Sequence, residues 1–64
     1  MKVILRNPRR EVELLGIRLV SDLFKKLELV SESYLVIRQG ELLTVQDHIE
    51  DEDTVELRPV ISGG

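Results

Sequence analysis

Glu11-Val12-Glu13-Leu14-Leu15-Gly16-Ile17-Arg18-Leu19-Val20-Ser21-Asp22-Leu23-Phe24-Lys25-Lys26-Leu27 changes its hydrophobic period part-way along, and that change decides the fold class. Before Gly16, polar and apolar residues alternate one by one, the pattern of a strand with a single buried face. After it, Val20, Leu23, Phe24 and Leu27 recur at i, i+3, i+4 and i+7, the stripe of an amphipathic helix. Ser21 is the expected N-cap and Asp22 suits the positive end of the helix dipole, so the helix is placed at 21–29 with Lys25 and Lys26 outward. A helix this short needs tertiary packing to persist in water.

On the N-terminal side, Lys2-Val3-Ile4-Leu5-Arg6 reads as a strand and Asn7-Pro8-Arg9-Arg10 as a turn, which makes a hairpin with the strand at 11–15. Val3, Leu5, Val12 and Leu14 then line one inner face. On the C-terminal side, Tyr34–Arg38 is a third strand, Gln39-Gly40 a turn, and Glu41-Leu42-Leu43 a short fourth strand. Residues 44–53 are polar apart from Val45 and Ile49 and should wrap the end of the sheet as an irregular connection. Thr54–Arg58 alternates again, with Val55 and Leu57 inward. The order ββαβββ implies an α+β fold: a mixed sheet with one helix packed on one face, the last strand central and parallel to the first.

Sixty-four residues make one domain and leave no room for a separate catalytic lobe. The hydrophobic set is 11 Leu, 8 Val, 5 Ile and one each of Met, Phe and Tyr, a β-branched mixture suited to pleated sheet. No cysteine is present, so disulfides, thiolate metal sites and thiol nucleophiles are excluded, and the one histidine, His48, cannot hold zinc alone. The acidic run Glu50-Asp51-Glu52-Asp53 lacks the alternating ligands and turn glycine of a calcium loop and reads as a solvated turn. His48 beside Asp47 has no nucleophile near it and reads as exposed polar surface. A net charge of −3, with one Tyr and one Phe, argues against direct nucleic-acid binding, and Arg6, Arg9, Arg10 and Arg18 read instead as solvated surface or a protein-docking patch. The start lacks a signal-peptide core and no apolar run exceeds four residues, so a cytoplasmic protein with no membrane contact is expected.

The end of the sequence is Arg58-Pro59-Val60-Ile61-Ser62-Gly63-Gly64. Two final glycines add nothing to a core, but they make a thin tail, as a carboxylate threading a narrow channel in a partner enzyme requires. Together with Val36-Ile37-Arg38-Gln39-Gly40-Glu41-Leu42-Leu43 and Ile49-Glu50-Asp51-Glu52-Asp53-Thr54-Val55-Glu56-Leu57, this tail resembles the ThiS/MoaD family of ubiquitin-like β-grasp sulfur carriers. Within the family it is most similar to the TtuB-type carriers of tRNA 2-thiolation. Members of the family often have Asp-Gly-Asp before the last strand, where this chain has Glu52 between its aspartates, so the turn must form without glycine.

The resemblance implies a β-grasp domain at 1–61, a flexible tail at 62–64, and no catalytic residue, metal or bound cofactor in this chain. It implies that a ubiquitin-activating-type enzyme uses ATP to adenylate the Gly64 carboxylate, with Ser62 and Gly63 threading into that enzyme's active site. A donor of the cysteine desulfurase or rhodanese type then supplies sulfur, leaving a thiocarboxylate for an acceptor such as a tRNA thiolase. Alternatives are sulfur carriage for molybdopterin or thiamin thiazole, conjugation of Gly64 to lysines of target proteins, and a scaffold domain with an inert tail. Lys2, Lys25 and Lys26 offer few sites for self-conjugation. If Val36 faces the core, then Leu35, Ile37 and Ile4 form an apolar patch on the uncovered side of the sheet. Ile37 is the expected docking residue, with Arg38 and Arg58 as charged neighbours, and a small acidic domain that visits several partners is expected to be a monomer.

Overall fold

The computed structural model describes residues 1–6 and 9–60. It contains β1 (Lys2–Leu5), β2 (Arg10–Glu13), α1 (Val20–Leu27), a 3-10 turn (Ser31–Ser33), β3 (Tyr34–Arg38), β4 (Glu41–Leu43) and β5 (Thr54–Pro59). The strands form one five-stranded sheet in the order β2-β1-β5-β3-β4, in which β5 runs parallel to β1 and antiparallel to β3. The expected ββαβββ mixed sheet with a central last strand is what forms. The turn expected at Asn7-Pro8 and the domain boundary at residue 61 lie outside the described residues.

The inner face follows the alternation. Val3, Leu5, Val36, Val55 and Leu57 are buried beneath α1, whose Val20, Leu23 and Phe24 close the core from above, while Val12 and Leu14 pack at its edge. Ile49, from the long connection between β4 and β5, is also fully buried, so that segment supplies a core residue without regular structure of its own.

The helix differs from its expected limits at both ends, and each difference has a backbone cause. It starts at Val20 rather than Ser21, with Leu19 as an extended N-cap whose side chain cannot cap. The Val20 N–H donates instead to the Asp47 carbonyl at 3.1 Å, and the Ser21 N–H to the Val45 carbonyl at 3.0 Å. These two N–H groups would otherwise lack partners. At the other end Glu28 is left-handed (φ 57°), its N–H donating to Lys25 O and that of Leu29 to Phe24 O. This six-to-one and five-to-two closure stops the helix at Leu27, two residues short of the expected end. β2 similarly ends at Glu13, leaving Leu15 exposed beyond the sheet.

Gln39 (φ 52°) and Gly40 (φ 80°) both lie at positive φ between β3 and β4, the two-residue turn whose twist matches a hairpin. Glu52 is not among the positive-φ residues. The acidic turn closes through Asp53 N–H to the Glu50 carbonyl and Glu50 N–H to the Asp53 carboxylate, and therefore needs no glycine at its centre.

Candidate functional site

The helix covers one face of the sheet; among the described residues no element covers the other, and the strand registers define what it presents. Ile4 of β1 lies opposite Glu11 of β2 on one side and Glu56 of β5 on the other. Glu56 in turn faces Ile37 of β3, and Ile37 faces Leu42 of β4. One row thus crosses all five strands as Glu11, Ile4, Glu56, Ile37 and Leu42. Leu42 is 66% exposed, and Leu35, beside Arg58 in the next row, is 45% exposed. A carboxylate therefore stands in the middle of an apolar strip.

Glu56 Oε2 accepts hydrogen bonds from Arg6 Nε at 2.7 Å and from Arg58 Nε at 3.0 Å. These bonds hold its carboxyl below the usual glutamate range, with Arg58 the larger influence and Arg6 the second. Since β1 and β5 are parallel and pair Leu5 with Leu57, Arg6 and Arg58 lie at the same end of the sheet, the end from which the chain leaves β5. There the Val60 N–H donates to the Ser33 carbonyl at 2.8 Å. Ser62, Gly63 and Gly64, the expected tail, lie outside the described residues.

No family model matches the chain. Aligned with the sulfur carrier protein TtuB of Thermus thermophilus, it is 43% identical over 65 residues, covering 100% of both chains. The chain belongs to the ThiS/MoaD family of ubiquitin-like β-grasp sulfur carriers. No helix among its described residues is long and apolar enough to cross a membrane, and no cluster of His, Asp and Glu among them could hold a metal ion.

Of the residues expected on this sulfur carrier's docking face, Ile37 and Arg58 are on the open side of the sheet and Arg38 is not. Strand alternation gives Arg38 the parity of Val36, and its Nη1 donates to the His48 carbonyl at 2.9 Å and to Asp53 Oδ2 at 3.0 Å. It ties the β4–β5 connection to β3. The acidic turn is fixed at a second point, where Asp51 Oδ1 accepts the Gly16 N–H at 3.0 Å and Arg18 Nη1 at 3.3 Å. The backbone bond is the main reason that the Asp51 carboxyl titrates below its usual range, with Arg18 contributing in the same direction. The run Glu50–Asp53 is thus a fastener between loops.

The sequence marks Arg6 only as one of four arginines of a solvated or protein-docking surface, and it gives no local sign that Glu56 and Leu42 belong to the site. The signal that finds them is register: once β1 and β5 are paired in parallel from Lys2 and Thr54, Ile4 must meet Glu56 and Arg6 must follow beside Arg58. On the helix side, Ser21, Phe24, Lys25, Glu28, Leu29, Ser31 and Val45 line an open groove of about 340 Å³. It contains none of the expected site residues.

Proposed function

We propose that this chain carries sulfur for tRNA 2-thiolation as a thiocarboxylate on the C-terminal carbonyl of Gly64. The observation that carries the reading is 43% identity, over the whole of both chains, to a protein named as a sulfur carrier. Its resemblance to the TtuB type in the hairpin, acidic-turn and tail stretches supports the tRNA assignment, and the open sheet face offers a partner a grip.

A carboxylate oxygen of Gly64 attacks the α-phosphate of ATP on a ubiquitin-activating-type enzyme, forming an acyl-adenylate and releasing pyrophosphate. A persulfide, formed on a donor cysteine by a cysteine desulfurase or rhodanese, attacks the acyl carbon and expels AMP. A thiol then reduces the acyl disulfide by exchange, giving the thiocarboxylate and a new disulfide. At a tRNA thiolase, water attacks the acyl carbon and breaks the C–S bond, releasing the sulfur to that enzyme as hydrosulfide and regenerating the Gly64 carboxylate. Every catalytic group, and the ATP site, belongs to the partners; the carrier contributes a thin tail, with Ser62 and Gly63 ahead of the reacting group, and a docking surface. It works in the cytoplasm as a monomer.

The test is intact mass after incubation with the activating enzyme of the same organism, ATP and a persulfide donor. The expected result is replacement of one oxygen by sulfur in the natural chain and none in a Gly64→Ala variant. Covalent adducts on target lysines without that exchange would replace carriage by protein modification. No change with either tail would mean an inert terminus. Loss of 2-thiouridine from tRNA in a deletion strain, with molybdopterin and thiamin intact, fixes the pathway.

A further inference from the structure

Glu56 sits where a carboxylate is least expected, flanked by Ile4 on one strand and Ile37 on the other. Its side chain is only 20% exposed, whereas those of Arg6 and Arg58 are 45% and 57% exposed. Both arginines bond the same oxygen, Oε2, and both through Nε. Their η nitrogens make no hydrogen bond among the described residues, so each keeps a planar set of donors available. The shared carboxylate fixes the stems of both side chains at one edge of the apolar strip. Holding a guanidinium in place before binding removes part of the rotamer entropy that a flexible arginine loses on contact.

We infer that Glu56 clamps Arg6 and Arg58 into a paired guanidinium receptor for carboxylates that border an apolar docking surface on the activating enzyme. The inference rests on the proposed function and gives that docking face its charge preference. Planar donor pairs match carboxylate geometry, and the neighbouring Ile4, Ile37 and Leu42 require a partner with apolar surface beside its acids. A polyanionic strand fits poorly, since two cations against one anion leave little net charge and the chain as a whole carries −3. Glu56 is a positioning residue here: it acts through the arginines.

The experiment is ATP–pyrophosphate exchange by the ubiquitin-activating-type enzyme of the same organism, with the full chain varied in concentration and ionic strength. Arg6→Ala and Arg58→Ala are each expected to raise the KM for the carrier about tenfold, with a much smaller change in kcat and a weaker salt dependence. Glu56→Gln separates a clamp from simple attraction. It adds one unit of positive charge, so long-range steering alone would lower KM, whereas a clamp predicts that KM rises although both arginines remain. Circular dichroism checks that the variants are folded, and Arg58→Lys keeps the charge while losing the fork, so it should not restore the natural KM. Unchanged KM in the arginine variants, or a lower KM in Glu56→Gln, overturns the inference. So does a labelled tRNA that binds the natural chain and loses affinity in the double arginine variant while the enzyme's KM is unaffected. If the natural chain supports no exchange at all, the proposed function fails and takes this inference with it. Exchange by the natural chain with indifferent variants sinks the inference alone.

Discussion

Glu28 and Gln39 are the non-glycine residues at positive φ among those described, and they hold two reversals of the chain. A side chain at left-handed φ costs roughly 1 kcal/mol through contact of its Cβ with the following carbonyl. Glu28→Gly should therefore stabilise the protein by up to about 1 kcal/mol, because the helix closure it serves favours glycine. Glu52→Gly, which restores the residue common in the family, should do the reverse. Glu52 lies at ordinary φ, so glycine there only enlarges the unfolded ensemble, a loss of about 0.5 kcal/mol. Urea unfolding of the two variants checks the pair, and a gain for Glu52→Gly would contradict the turn geometry.

At the scale of elements, α1 is held by what it packs on and by what caps it from a distance. Leu23 has no exposed surface, and Leu23→Ala should cost about 2–5 kcal/mol, enough to unfold much of a domain this small at room temperature. Near-natural stability of that variant in a denaturant titration would show that the helix is not the lid of this core. The elements themselves were legible because period-two and period-3.6 patterns report burial residue by residue. The helix ends were not, because their partners are Val45 and Asp47 at the start and a left-handed glutamate at the finish. Arg38 follows Ile37 in the sequence, but neighbours along a strand point to opposite faces, so its parity with Val36 decides its side. The Arg6–Glu56–Arg58 cluster needed the register between strands fifty residues apart, which no local pattern contains. Ser62, Gly63 and Gly64 stand out through the thinness of a diglycine end and the family resemblance, and they lie outside the described residues.

For the molecule as a whole, charge is organised into fasteners: Arg6 and Arg58 on Glu56, Arg18 on Asp51, and Arg38 on Asp53. Glu56 and Asp51 both titrate below their usual range in the folded state. A depressed folded value means that the native state releases the proton more readily than the unfolded chain. The stabilisation is therefore complete above the ordinary carboxylate range near ~4 and lost as pH falls through the lower, folded values. Thermal unfolding followed from neutrality down to about pH 3 should show a falling midpoint, with a shallower acid limb in Glu56→Gln. An identical slope in that variant would mean that Glu56 gains nothing from its two arginines.

The placement of β5 between β1 and β3 has a mechanical meaning. Whatever pulls on the segment beyond Val60 pulls along a strand that is laddered on both sides, so the force is shared as shear across two rows of bonds instead of peeling them singly. A load applied at Val60 along this strand must therefore break both rows together, so β5 resists being drawn out of the sheet.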